Sequence, residues 1–231
     1  YAVYEAVRQY PDSFTSQPIN QFTHRAIYGV SNSGETEFAI IRTGAYVGYG
    51  FGGFVYEREG GVDLPTSGQA LYTGRAAGIR DFDGIGGLEY STADVEVAID
   101  FDDFNPDTGR DAGAVNGLIS NHRIFDINGA DITNEVVNNI NTENDASLTS
   151  VPVATFVIEP GALDSNGEMR GSVISNFVDN DGSPVSYGTG EYYGILSGEN
   201  ADELVGIVVV ESGAENENAT VRTTLGFTVL R

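Results

Sequence analysis

The 231-residue sequence has no cysteine, no lysine and no tryptophan, one methionine and two histidines. Each shortage closes off some chemistry. Without cysteine there is no disulfide, no thiolate metal site and no thiol nucleophile. Without lysine, all 11 positive side chains are arginines, set against 34 acidic residues for a net charge of −23. A field of that sign repels phosphate backbones and anionic headgroups, so nucleic-acid binding is not expected. The imbalance is uneven: residues 1–60 carry six acids and four arginines, and the rest carries 28 and seven. Such a surface keeps a chain in solution and favours a basic partner. There is no run of about 18 apolar residues able to span a bilayer as a helix. No Gly-x-Ser-x-Gly elbow, His-Glu-x-x-His pair or Gly-x-x-x-x-Gly-Lys loop is present. Carboxylate pairs are too abundant to single out a glycosidase, and no enzyme is expected. The chain opens on Tyr1, and its methionine is Met169. It is therefore expected to be a processed product whose removed segment held an export signal or lipid anchor.

What is abundant is strand chemistry. From residue 69 onward eight β-type runs are separated by turn residues: Gln69–Arg80, Leu88–Phe101, Ala114–Asp126, Val153–Ile158, Glu168–Val178, Gly188–Leu196, Leu204–Glu211 and Val221–Leu230. In "ADVEVAIDF", Val95, Val97 and Ile99 share one face, with Asp94, Glu96, Ala98 and Asp100 on the other. In "VRTTLGFTVL", Val221, Thr223, Leu225, Phe227 and Val229 share a face, and Gly226 opposite is expected to permit curvature. Asp83-Gly84, Asn128-Gly129, Asn166-Gly167 and Asp181-Gly182 supply turns. The pattern predicts an eight-stranded antiparallel up-and-down β-barrel, closed so that no edge is exposed. "GEYYGILSGENADELVGIVVV" (190–210) is read as its sixth and seventh strands. Residues 127–152 form an acidic, Asn-rich excursion, with one short helix at Asp131–Val137 that Thr133 is placed to cap. "TEFAIIRTGAYVGYGFGGFVYERE", preceded by a turn at Asn32-Ser33-Gly34, predicts a small N-terminal β-rich handle module of three or four strands. The expected division is a handle at 1–62 and a barrel at 68–231, joined by a Gly-rich linker.

Several of these segments resemble the transferrin-binding protein B β-barrel family. "SGQALYTGRAAG" (67–78) carries a Gly-x-Ala-x-Tyr-x-Gly pattern similar to that family's opening barrel strand. "ADVEVAIDFDDF" followed by "AGAVNGLISN" resembles its second and third strands. The 190–210 segment resembles its best-marked hairpin, through Gly194, Ala201, Glu203, Leu204 and Gly206. Secreted haem-binding haemophilins share this build. The resemblance implies an exported binding protein, on the bacterial outer-membrane surface or secreted, often lipid-anchored. Its ligand would be a protein partner or a small hydrophobic ligand such as haem. The alternative is a structural or adhesive surface module.

Haem would need an axial ligand, and the candidates are His122 in "LISNHRIF" and His24 in "QFTHRAIY"; both also read as ordinary histidines. "DFNPDTGRD" places Asp103, Asn105, Asp107 and Asp111 at a spacing that suits Ca²⁺. It departs from an EF-hand loop and reads equally as a polar hairpin. "DNDG" (179–182) reads first as a turn. The aromatic block of Tyr46, Tyr49, Phe51, Phe54 and Tyr56 is expected to pack the handle on the barrel rather than lie exposed.

Overall fold

The computed structural model describes residues 1–6, 11–17, 24–43, 48–105, 110–111 and 114–231. Four N-terminal strands, β1 (Ala2–Glu5), β2 (His24–Val30), β3 (Thr36–Thr43) and β4 (Gly52–Arg58), form an antiparallel sheet in sequence order. Next come β5 (Gln69–Asp83), β6 (Leu88–Asp100), the short pair β7 (Phe104–Asn105) and β8 (Arg110–Asp111), and β9 (Val115–Phe125). A helix, α1 (Thr133–Asn144), precedes β10 (Ala154–Phe156), β11 (Glu168–Val178), β12 (Pro184–Ser197), β13 (Glu203–Ser212) and β14 (Thr220–Leu230). The barrel closes in the order β10-β11-β12-β13-β14-β5-β6-β9, each pair antiparallel. Among the described residues no helix is long and apolar enough to cross a membrane.

The barrel is packed rather than hollow. Tyr72, Val97, Ile119, Phe156, Met169, Tyr192, Val208 and Phe227 belong to one buried cluster in its interior. Phe156 and Tyr192 stack at 3.9 Å between centroids. Both rings lie over glycines: a methyl at Gly117 would meet Phe156 at 2.4 Å, and one at Gly171 would meet Tyr192 at 2.6 Å.

Strand β13 explains why Leu204–Val210 is apolar without alternation. Leu204, Val208 and Val210 face the interior, while Val205, Ile207 and Val209 face outward against the N-terminal sheet. A strand covered on both faces needs apolar residues throughout. In the second cluster, Ile27, Phe38 and Ile40 of the sheet pack on Ala77, Ile79, Leu88, Val205 and Ile207 of the barrel, with Phe54 and Tyr56 alongside. Gly226, expected to permit curvature, makes room for Phe38, whose ring a methyl at Gly226 would meet at 2.2 Å.

Polar contacts fasten the same seam. Asp81 sits between Arg42 and Arg222, and Arg42 Nη2 donates to Thr224 Oγ1 at 2.9 Å. Glu203 accepts hydrogen bonds from Ser33 and Thr36. Of the aromatic block, Phe54 and Tyr56 lie in the seam, the Tyr49 ring lies 4.1 Å from the Arg222 guanidinium, and Phe51 is exposed. Tyr46 lies outside the described residues.

Helix α1 is longer than the sequence pattern predicts, and Thr133 does not cap it. Ile132 takes the N-cap position without a side-chain bond, and Thr133 Oγ1 instead accepts the Ile124 N–H at 2.9 Å. Val136, Val137 and Ile140 form a stripe packed on Ile124, Phe177 and Tyr187 across one end of the barrel. That burial outweighs the weak helix preference of the asparagines. The asparagines also act as fasteners: Asn144 Nδ2 donates to Ala214 O at 2.7 Å, and Asn141 Nδ2 to Leu148 O at 2.9 Å.

Candidate functional site

Two places in the fold depart from an ordinary barrel with a packed sheet. The first is the barrel end beneath α1. Strands β6 and β9 shift register between Thr92 and Asp94, so Asn121 and His122 together oppose Ala93. Asn121 takes φ +53° and donates to Asp94 on the outer side at 2.8 Å. The bulge moves His122 and Ile124 into the inward phase. A second shift, between Ser175 and Asn176, leaves Tyr187 as the extra residue on β12, and Tyr187 is buried. A bulge re-aims one side chain at the cost of one ladder position, and here both bulges aim polar rings into the same chamber.

Arg80 meets them from β5, 1% exposed, with Nη1 2.9 Å from Glu89 Oε2. Glu215, from the β13–β14 loop, reaches into the chamber: one carboxylate oxygen accepts from Arg80 Nη2 and the other from the Tyr187 hydroxyl. A cavity of about 30 Å³ adjoins them, lined by Arg80, Ser91, His122, Ser175 and Tyr187 among others. Ser91 Oγ is buried there without a hydrogen-bond partner among the described residues. Burial, with the neighbouring Arg80 charge, pulls the half-buried His122 down to about 4, so it is neutral near pH 7. Burial and Glu215 push Tyr187 well above its ordinary value. Burial also raises Glu89, against the pull of Arg80. For Arg80 burial opposes the charge, and Glu215, Tyr187 and Glu89 outweigh it.

His122 therefore stands in a chamber with room for one water molecule, far too small for a porphyrin ring. His24 lies exposed at the start of β2, opposite Thr43. Asp103 is exposed; Asn105 and Asp111 fall on the paired β7 and β8, and Asp107 lies outside the described residues. Among the described residues no group of three His, Asp or Glu side chains is placed to hold a metal ion. The Asp179–Gly182 segment is a turn. Asp179 Oδ1 accepts the N–H groups of Asp181 and Ser183 at 3.0 and 2.7 Å, and Gly182 takes φ +82°. The same arrangement recurs at Asp126–Ala130 and Asp164–Glu168.

The second place is the outer face of the N-terminal sheet. The registers set Tyr4, Ala26, Ile41 and Gly53 in one row across the strands, and Ala2, Tyr28, Ala39 and Val55 in the next. Nothing covers this face among the described residues: Tyr4 is 57% exposed, Ile41 46% and Val55 64%. Val30, Glu37 and Glu57 form the third row, and the Tyr28 hydroxyl donates to Glu37. The face is thus apolar with an acidic margin.

The sequence reading missed Arg80, Glu89, Tyr187 and Glu215. Arg80 was legible, since it continues the inward phase of Ala70, Tyr72 and Ala76. The outer apolar face was legible only in part, as apolar residues on both sides of "EFAII".

No family model and no curated protein matches the chain. Solved structures of transferrin-binding protein B are similar to it. A point variant of the Haemophilus parasuis Hp5 protein matches at 16% identity and TM-score 0.42, covering 90% of this chain and 35% of that one. The isotype 1 protein of serogroup B Neisseria meningitidis matches at 13% and 0.39, covering 96% and 35%. A variant from Actinobacillus pleuropneumoniae H49 matches at 13% and 0.38, covering 85% and 78%. The chain spans about a third of the length of the first two.

Proposed function

We propose that the chain is a non-enzymatic binding protein that docks a protein partner on the outer face of its N-terminal sheet. The observation that carries the reading is the apolar face of Tyr4, Tyr28, Ile41 and Val55, which nothing covers among the described residues. One-sided antiparallel sheets normally turn polar residues to water, and contiguous apolar patches on soluble domains mark interaction sites. Tyrosines within such a patch are frequent interface anchors. The Glu37 and Glu57 margin, on a chain of net charge −23, selects a partner whose apolar patch is ringed by Arg or Lys. The packed barrel leaves recognition to the surface. The reading takes the protein to be exported, at a bacterial cell surface or secreted, and a signal peptide or lipobox in its precursor is the direct check.

The experiment replaces Ile41 and Val55 with Asp and measures capture of secreted host proteins against the unaltered chain. Both side chains are exposed, so folding stability should change by no more than about 0.5 kcal/mol. Affinity for the partner should fall at least about tenfold and weaken further with salt. A partner that binds both proteins equally well overturns the assignment. Haem, as the small ligand, has no room beside His122; a Soret band that weakens in His24→Ala would place it on the surface instead.

A further inference from the structure

The two ends of the barrel are closed in different ways. At the end where β5 begins, Phe101, Ala162, Leu163 and Ala201 form an apolar stopper continuous with the interior. At the α1 end the chain instead buries Arg80 and Glu215, with Glu89 half-buried beside them, and spends two β-bulges aiming His122 and Tyr187 into the same chamber. Removing ions from water costs more than an apolar stopper does, so closure alone does not account for the arrangement. We propose that this chamber is a binding site for a short aliphatic carboxylate, and that the chain's own Glu215 occupies it in this state.

The donors are already in carboxylate-binding geometry. Arg80 Nη2 serves one oxygen of Glu215 and the Tyr187 hydroxyl serves the other, an arrangement that any free carboxylate satisfies equally. Ser91 Oγ, buried on the wall of the same cavity and without a partner among the described residues, is a further donor unused by Glu215. With Glu215 withdrawn, Arg80 keeps Glu89 beside Nη1 at 2.9 Å, and Nη2 loses the carboxylate oxygen that Glu215 supplied.

Glu215 lines an outer cleft, and its partners Arg80 and Tyr187 line the inner chamber. The cleft, of about 200 Å³, lies between Ile85–Leu88, Val136 and Asn139 of α1, with Glu89 and Glu215 in its wall. The chamber is about 30 Å³. In the proposed exchange Glu215 swings outward into the cleft, which gives a carboxylate both a path and a seat. The loop that carries Glu215 is suited to this movement. Gly213 has open space around it. The hydrogen bond from Asn144 to Ala214 O and the packing of Ala214 on the α1 cluster tie the loop to the helix. The site is independent of the docking face, and Ile41→Asp leaves it unchanged.

Two measurements test the proposal. In the unaltered protein, hydrogen exchange is followed in sodium propionate and in sodium chloride of equal ionic strength. Propionate should speed exchange at residues 213–219 by about tenfold when present at ten times its Kd for the state with Glu215 withdrawn. Identical exchange in the two salts overturns the displacement of Glu215. In Glu215→Ala, the melting temperature should fall, and propionate should recover several degrees in a saturable way that chloride does not reproduce. The recovery should vanish in Glu215→Ala/Tyr187→Phe. A recovery equal in chloride, or one undiminished without the tyrosine hydroxyl, refutes the carboxylate site. Should the alanine variant not fold, the exchange comparison in the unaltered protein decides the proposal by itself.

Discussion

Replacing Gly226 with alanine tests how the N-terminal sheet is held on the barrel. Gly226 lies within β14 at ordinary strand φ, so an added methyl brings no backbone strain and any effect is steric. The methyl would stand 2.2 Å from two carbons of the Phe38 ring, where normal contact is about 3.5–4 Å. The ring must retreat by more than ~1 Å. It has no easy route, because it already lies over Gly29, where a methyl would meet it at 2.4 Å, and beside Tyr1 at 5.6 Å between centroids. Overpacking of this kind costs about 1–3 kcal/mol. Phe38→Ala alone removes a side chain that is 1% exposed and costs about 3–5 kcal/mol. The decisive measurement is the double-mutant cycle. With Phe38 truncated, the alanine methyl enters vacated space, and the Gly226→Ala change should fall to about zero or stabilise by up to ~0.5 kcal/mol through reduced chain entropy. Urea unfolding followed by far-ultraviolet circular dichroism and tyrosine fluorescence gives all four stabilities. A coupling of at least ~1 kcal/mol is expected. Additive costs would refute the glycine socket and return Gly226 to a role in curvature.

The parts of this fold that could be read from sequence are those governed by nearest neighbours. The barrel strands follow from alternation, as in Val95, Val97 and Ile99, and from the Asp-x-x-Gly turns at Asp126, Asp164 and Asp179. What escaped depends on residues distant in the chain. The length of α1 was hidden because Asn138 to Asn144 argue locally against a helix, while Val136, Val137 and Ile140 gain burial against Phe177 and Tyr187. The chamber was hidden because each bulge inserts one residue and reverses the phase after it. By strict alternation from Ile119, Asn121 would point inward and His122 outward, and the register shift exchanges them. The role of Gly226 could not be read from β14 alone, since it is set by Phe38, 188 positions earlier in the sequence. The uncovered face of the N-terminal sheet was half legible: β3 is apolar on both sides, but which side the barrel covers is decided by the packing of Phe38 and Ile40.

Two further perturbations follow. Asp81→Asn withdraws the charge between Arg42 and Arg222, where the Asp81 side chain is 2% exposed. Leaving two guanidinium groups short of their shared anion should cost about 3–5 kcal/mol, and Thr224→Val, which removes one charge-assisted hydrogen bond from Arg42, about 1.5 kcal/mol; equal losses in chemical denaturation would show that the seam does not depend on that charge. The second perturbation uses pH. His122 is held at about 4 by burial and by Arg80, against an ordinary value of 6.5. Between those values the unfolded chain binds the proton and the folded one does not, so this group makes stability fall as pH drops from 6.5 toward 4, by up to about 3 kcal/mol. Glu89, also facing Arg80, is raised by burial, so it acts in the opposite direction and removes stability as pH rises above its unfolded value. Glu215 and Tyr187 complete the polar groups around the chamber. Because Glu89 is common to both proteins, the difference between the unaltered chain and His122→Gln isolates the histidine. The unaltered chain should lose more stability than the variant across pH 6.5 to 4, with the two curves parallel above pH 7. Parallel curves over the whole range would mean that His122 meets solvent and takes up its proton freely in the folded state.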